Sequence, residues 1–141
     1  MIQFSKSVII NRPLEDVFEY SVDPANTHAW MDDTPEQTHN GAMEVGSTGR
    51  RIVKLMGLKL GGNYEITAFN RPYKYCFKPI TGPLHADVCQ SYEEVDGGTR
   101  FTYAVELEGR GFYKVLEWLI NMEGTSTLEK ELKKLKGILE S

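Results

Sequence analysis

The stretch that decides the fold is GFYKVLEWLINMEGTSTLEKELKKLKGILE, residues 111–140. Two sets of apolar residues recur in it at helical spacing, which predicts one long terminal helix. The first set is Phe112, Val115, Leu116, Leu119 and Met122, and the second is Leu128, Leu132, Leu135 and Leu139. At about 100° per residue the two sets lie on roughly opposite sides of a straight helix. We therefore expect a bend, or a change of packing partner, between them.

The change of face falls at Gly124-Thr125-Ser126-Thr127, where glycine and small polar residues weaken a helix interior. Ser126 and Glu129 also fit a capping box, which would start a new helical segment. A terminal helix with small residues at its centre does not fill the concave face of a curved sheet. The pattern therefore predicts a hollow between the helix and a sheet.

The residues before this helix alternate between apolar and polar in short runs separated by turn residues, which predicts antiparallel strands. The predicted strands are 2–10, a weak one within 36–44, 48–56, 63–69, 73–79, 84–94 and 99–108. Two short helices, 13–21 and one from Asp23-Pro24 to about Trp30, follow the first strand. This order predicts an α+β fold, in one domain spanning 1–141, with the helices on one side of the sheet.

Asp96-Gly97 is a strong signal for a two-residue hairpin loop. Such a loop places Tyr92 opposite Phe101 and Gln90 opposite Tyr103, which keeps two apolar rows on one face of the sheet. A slip of one residue would move one row to the other face. The hairpin therefore predicts the register of these strands.

Composition and charge exclude several classes of protein. The sequence has 141 residues and a formal net charge of −4, which argues against nucleic-acid binding. It has no apolar run of membrane-spanning length and no signal peptide, so we expect a cytoplasmic protein without stable membrane insertion. We expect Cys76 and Cys89 to lie unbonded on the outer face of neighbouring strands, because the cytoplasm is reducing. The oligomeric state stays open, with a homodimer as one option.

The acid–base residues give no catalytic motif. His28 is expected on a partly exposed helix, His39 in a solvated loop, and His85 on the polar side of its strand. Asp32 and Asp33 are expected on a surface loop, with an acid at the mouth of a pocket as the alternative. No histidines have the spacing of metal ligands, so we expect neither a catalytic metal nor a cofactor.

Several segments carry a resemblance that covers essentially the whole sequence. They are Val8–Phe18, Asp23-Pro24 with Trp30, Gly97–Arg100 before a strand, and the closing Leu132–Glu140. In this order they resemble the START and birch-pollen-allergen (SRPBCC) superfamily, within it the small polyketide cyclase/dehydrase and lipid-transport group. The resemblance implies a helix-grip fold, in which about six or seven antiparallel strands curve around the terminal helix. It does not supply a reaction, because one fold hosts many functions.

The aromatic residues on the predicted concave face fit a semi-polar cavity better than a dry core, because a buried tyrosine hydroxyl needs a partner. Arg50 and Arg51 begin a strand on opposite faces, so one of them can enter this cavity as a polar anchor. We assign that role to Arg50, beside Gln90. The predicted apolar wall is Trp30, Met56, Tyr64, Phe77, Tyr92, Tyr103, Trp118 and Met122.

These residues lead to a binding or carrier protein for a small hydrophobic or amphipathic ligand, held between the sheet and the terminal helix. One alternative is a cyclase/dehydratase-type enzyme that does acid–base chemistry in the same cavity without a metal. The other is a protein-interaction module. A strongly perturbed titrating residue would favour the enzyme, and a filled cavity with a large exposed apolar patch would favour the module.

Overall fold

The computed structural model describes the backbone of residues 2–55, 58–81, 84–109 and 114–141, and their side chains except those at 55, 58, 60, 84 and 114–124. The strands are β1 (Ile2–Ile10), β2 (Glu36–His39), β3 (Thr48–Leu55), β4 (Leu58–Asn70), β5 (Lys74–Pro79), β6 (Leu84–Val95) and β7 (Gly98–Gly109). The helices are α1 (Leu14–Val22), a 3-10 turn (Pro24–Asn26), α2 (Thr27–Trp30) and α3 (Lys114–Glu140). The seven strands form one antiparallel sheet in the order β1-β7-β6-β5-β4-β3-β2. The predicted α+β, helix-grip architecture is confirmed.

The β3–β4 hairpin differs from its prediction. β4 begins at Leu58, whereas the sequence predicted a turn up to Gly62 and a strand from residue 63. Gly61 and Gly62 lie inside the ladder, opposite Ile52 and Arg51. Glycine can lie within a strand when the neighbouring residues form the hydrogen bonds of the sheet, so Gly61 and Gly62 did not indicate where the loop is.

The β6–β7 hairpin forms as predicted. Asp96 and Gly97 have φ angles of 45° and 80°, the left-handed values that a two-residue hairpin loop requires. Tyr92 is paired with Phe101, and Gln90 with Tyr103. The hairpin thereby aligns aromatic and polar side chains on the concave face.

Helix α3 runs without a break from Lys114 to Glu140, so the irregularity expected near Gly124 does not interrupt its described backbone. The capping box at Ser126 starts no new helix. The second apolar set is buried and belongs to the core that α3 forms with β1 and β7; its members are Leu128, Leu132, Leu135 and Leu139. The first apolar set lies outside the described side chains. No described helix is both long enough and apolar enough to span a membrane.

The prediction of two free thiols is wrong, because Cys76 and Cys89 form a disulfide. The two residues lie on neighbouring strands as expected, directly opposite each other with a Cα–Cα distance of 4.1 Å. Cys76 alternates with the inward-facing Tyr75 and Phe77, so the bond is on the outer side of the sheet. The argument from a reducing compartment could not anticipate a register that places the two residues opposite each other.

Candidate functional site

A crevice lies between the α1–α2 segment and the concave face of the sheet. Its lining includes Trp30, Arg51, Tyr75, Phe77 and Gln90. The space between these side chains is too narrow for a water molecule, so a ligand there has to displace side chains. The larger cavity predicted between α3 and the sheet involves side chains of 114–124, which lie outside the description, and it stays a prediction.

Arg51 is the charged group of this crevice. One terminal nitrogen of its guanidinium donates to Thr34 Oγ1 at 3.1 Å and to the Tyr103 hydroxyl at 3.4 Å. The guanidinium also lies over the Phe77 ring, 5.0 Å from its centroid. Among the described residues no carboxylate forms an ion pair with Arg51. An arginine stays protonated in proteins, so this interior charge is left without a directly bonded counter-charge.

The assignment of the polar anchor to Arg50 is wrong in its orientation. Arg50 is exposed, whereas Arg51 turns inward. On β3, Gly49 lies against the Tyr64 side chain, and Arg51, two residues further along the strand, shares this inward face.

Three buried polar atoms of the crevice lack a hydrogen-bond partner among the described residues. They are the indole Nε1 of Trp30, Nε of Arg51 and the hydroxyl of Tyr75. Trp30 and Tyr75 are 0% and 2% exposed, so water does not substitute for the missing partner. A buried donor left unpaired costs about 1–3 kcal/mol. The residues that carry these two N–H donors and this hydroxyl line the same crevice.

Other tyrosines of the concave face are satisfied. The Tyr92 hydroxyl donates to Gln90 Oε1 at 2.9 Å and lies 2.6 Å from Ser21 Oγ. Burial raises the pKa of the Tyr92 hydroxyl far above its ordinary value, although the Ser21 hydrogen bond opposes this. Burial likewise raises the pKa of Tyr75 and Tyr103, so these side chains stay neutral.

Glu131 of α3 is a carboxyl group in the interior, 2% exposed. Its Oε2 accepts from the backbone N–H of Asp33 at 3.4 Å, and the Asp33 carboxylate is close enough to interact with it electrostatically. Burial, together with the Asp33 carboxylate, raises the pKa of Glu131 to about 9. Glu131 is therefore protonated at neutral pH.

Asp33 connects this pair to the crevice. Its Oδ1 accepts from Thr34 Oγ1 at 3.0 Å, and the same Thr34 oxygen accepts from Arg51. A chain of hydrogen-bonded residues thus runs from Glu131 to the backbone N–H of Asp33, and from the Asp33 carboxylate through Thr34 to Arg51 and on to Tyr103. It links α3 to strands β3 and β7 across the loop after α2.

A second polar cluster lies at the β2 edge of the sheet. His39 is on β2 rather than in a solvated loop, and its ring nitrogens lie 2.9 Å from the Tyr64 hydroxyl and 2.9 Å from Ser47 Oγ. The Tyr64 hydroxyl also donates to the backbone carbonyl of Thr38 at 3.1 Å. A Cβ at Gly49 would collide with this hydroxyl and with that carbonyl, so glycine is required there. The cluster ties the edge strand to β4.

The structure brings together part of the predicted site. Six predicted residues are buried in the interior: Trp30, Tyr64, Phe77, Gln90, Tyr92 and Tyr103. Met56 and the side chains of Trp118 and Met122 lie outside the described residues. His28 and His85 are exposed as expected, and Asp32 forms a surface ion pair with Lys134 at 2.6 Å. Ligand contact by any of these residues stays a prediction.

The predicted site did not include Arg51, Tyr75 or Glu131, although Arg51 was one of the two arginines considered as a polar anchor. Glu131 lies in a run of alternating charges, a pattern typical of a solvated helix face. The signal that could have identified it is its place in the second apolar stripe, three residues after Leu128 and four before Leu135. Among the described residues no group of three or more His, Cys, Asp and Glu side chains is arranged to hold a metal ion.

The family model described as polyketide cyclase / dehydrase and lipid transport matches residues 1–140. Among solved structures, TTHA0849 from Thermus thermophilus is 16% identical with a TM-score of 0.81, covering 96% of this chain and 95% of that chain. The Zhui aromatase/cyclase from Streptomyces sp. R1128 is 13% identical with a TM-score of 0.80, covering 99% and 93%. Ara h 8.0201 is 14% identical with a TM-score of 0.69, covering 98% and 97%. At these identities the likeness shows the fold alone. No curated protein sequence matches the chain.

Proposed function

Because the chain belongs to the polyketide cyclase / dehydrase and lipid transport family, we propose that it binds a small, largely apolar molecule that carries oxygen acceptors. The ligand lies on the concave face of the sheet, which α3 also covers, in the crevice beside the α1–α2 segment, and the protein acts as its carrier. The observation that carries this proposal is that Trp30, Arg51 and Tyr75 line one crevice and that each has a buried polar atom without a partner among the described residues.

The surroundings of these atoms fit such a ligand. Phe77 and Tyr75 are buried aromatic side chains with ring centroids 5.4 Å apart, and they provide an apolar wall. Ligand sites are typically apolar with a few placed polar groups. Oxygen acceptors of a ligand would satisfy the Trp30 and Arg51 donors, whereas a pure hydrocarbon would leave them unpaired. The proposal therefore favours amphipathic ligands over plain lipid chains.

The test uses two fluorescent probes that share a ring system. N-phenyl-1-naphthylamine is neutral, and 8-anilinonaphthalene-1-sulfonate adds an anionic acceptor group. We expect both probes to bind the folded protein. Arg51→Met should weaken the binding of the anionic probe by about tenfold and leave the binding of the neutral probe unchanged. At a probe concentration of about 100 times Kd, binding should add about 2.7 kcal/mol of stability.

Arg50→Met is the matched control, because it removes the same charge from the exposed side of the same strand. It should leave both affinities unchanged. Failure of both probes to bind, or equal effects of the two arginine variants, would argue against a ligand site at Arg51. Native mass spectrometry of protein purified from its own host would identify a natural ligand.

Acid–base catalysis is the second candidate, and the buried, protonated Glu131 is the observation that favours it. A protonated carboxyl next to a neutral tyrosine and an arginine is suited to dehydration or ring closure of a ketone. This candidate predicts turnover of a linear poly-β-ketone mimic that Tyr103→Phe abolishes without loss of probe binding. The interaction module has less support, since the large exposed apolar residues described here, Ile9, Val45, Tyr73 and Ile80, lie on separate segments.

A further inference from the structure

The hydrogen-bonded chain from Glu131 to Arg51 has a consequence for the charge of the ligand. We propose that Glu131 is a specificity-determining residue: protonated against Asp33, it leaves Arg51 able to bind an anionic ligand, and ionised, it excludes one. This inference rests on the proposed binding function and adds the ligand's charge class. Glu131 is a positioning residue in this account, because it acts through Asp33 and Thr34.

The charges in the interior support this assignment. Arg51 contributes one positive charge, and Asp33 contributes one negative charge that is bonded to Arg51 through Thr34 and also acts on it through space. With the proton on Glu131 these three groups carry no net charge, so an anion placed against the Nε of Arg51 meets no net repulsion from them. Without that proton the sum is −1, and the two carboxylates repel an incoming anion.

The groups that face Glu131 come from several elements. Asp33 of the loop after α2 donates its backbone N–H to Glu131, and Arg51 of β3 and Tyr103 of β7 interact with it electrostatically. From β1, Lys6 is half-buried on the inward-facing side of its strand; its charge is common to both states of Glu131, so it shifts the sum without removing the difference between them. Asp32 faces outward to Lys134, so it does not belong to the interior set. Within this set Glu131 is the acid whose ionisation changes the interior charge in the mildly alkaline range.

The size of the effect follows from the fraction of molecules that keep the proton. With a pKa of about 9, nearly all molecules hold it at pH 7 and roughly one quarter hold it at pH 9.5. Since only the protonated form accepts the anion, the apparent affinity should fall about fourfold over that range. A neutral ligand makes no such distinction, so its affinity should not change.

The experiment measures both naphthalene probes at pH 7 and pH 9.5, with circular dichroism to confirm that the fold persists. In the native protein the sulfonate probe should lose about fourfold in affinity and the neutral probe should be unaffected. Glu131→Gln and, should that variant fold poorly, Glu131→Leu remove the ionisation and should make sulfonate binding independent of pH. Glu129→Gln is the control, because Glu129 is exposed on the same helix and pairs with Lys133.

The outcomes separate the two proposals. Sulfonate affinity that stays constant to pH 9.5, or that falls equally in Glu131→Gln, overturns the role of Glu131 while the binding function stands. An equal fall for the neutral probe also overturns it, because that indicates a loss of the whole site. If neither probe binds at pH 7, the binding function itself fails, and the inference fails with it.

Discussion

Replacing Arg51 should weaken the binding of an anionic probe without lowering the free energy of unfolding. Arg51 is half-buried as a residue, but its Nε is buried without a hydrogen-bond partner and no described carboxylate forms an ion pair with it, so the desolvation of its guanidinium opposes folding. Exchange of buried ionic groups for apolar residues of similar volume is often neutral or stabilising, by about 1–4 kcal/mol. Arg51→Met alone would leave the Tyr103 hydroxyl without its hydrogen-bond partner, which costs about 1–3 kcal/mol. This cost nearly cancels the gain from removing the charge. Arg51→Met with Tyr103→Phe removes both and should stabilise the protein by about 1–3 kcal/mol.

Urea denaturation followed by circular dichroism measures this change, and an unchanged m value would show that the unfolded state is comparable. Arg50→Met is the control and should alter the free energy of unfolding by less than about 0.5 kcal/mol, as surface changes do. The same double variant should lose the anionic probe. If the double variant is instead destabilised by more than about 1 kcal/mol, Arg51 is a structural residue, and the argument that its burial serves a ligand is wrong.

Three further sets of substitutions test the packing of the fold and the protonation of Glu131. Glu131 keeps a proton in the folded state that the unfolded chain releases above a pH of about 5. The free energy of unfolding should therefore fall as the pH rises from about 5 to 9, by up to about 1.4 kcal/mol per pH unit. Urea denaturation at several pH values measures this slope, and Glu131→Gln should flatten it. Gly49→Ala forces a Cβ into the β2 backbone and should destabilise the protein by about 3 kcal/mol. A Cβ at Gly61 makes only ordinary van der Waals contacts with the Arg50 and Ile52 side chains, so Gly61→Ala should cost less than about 1 kcal/mol. Leu135→Ala should lower the free energy of unfolding by about 2–5 kcal/mol, because Leu135 is buried. Lys134→Ala is the control and should lower it by less than about 1 kcal/mol. Equal effects would contradict the assignment of Leu135 to the buried face of α3 and of Lys134 to its exposed face.

The parts of the fold that the sequence predicted are those set by local rules. A two-residue loop at Asp96-Gly97 fixes the register of β6 and β7, and alternation along each strand then fixes which side chains share the concave face. Gln90 was identified in this way, as a polar residue in an apolar row, and it is 3% exposed. Local rules were sufficient wherever a turn and a pattern agreed.

The errors occurred where the outcome depended on distant contacts. Arg50 and Arg51 differ by one position on a strand, and only the packing of Gly49 under Tyr64 decides which arginine faces inward. The pairing of Cys76 with Cys89 depends on the register of β5 against β6, for which no tight hairpin was available as a guide. Glu131 lies in an apolar stripe, but the reason that a carboxyl is tolerated there is Asp33, about 100 residues earlier in the sequence.

The polar chain through the interior is difficult to explain by stability alone. Leu128, Leu132 and Leu135 already attach the second half of α3 to the sheet through a dry apolar contact. An apolar residue at 131 would extend that contact, whereas the carboxyl has to retain a proton and bond Asp33 in order to be buried at all. The chain reaches the crevice at Arg51, which lines it together with Trp30 and Tyr75, and a buried polar atom of each of these three residues has no hydrogen-bond partner among the described residues. The network therefore has its hydrogen bonds made at α3 and has donors without partners at the crevice, where the proposed ligand binds. The Arg51 and Glu131 variants test whether those donors serve the ligand.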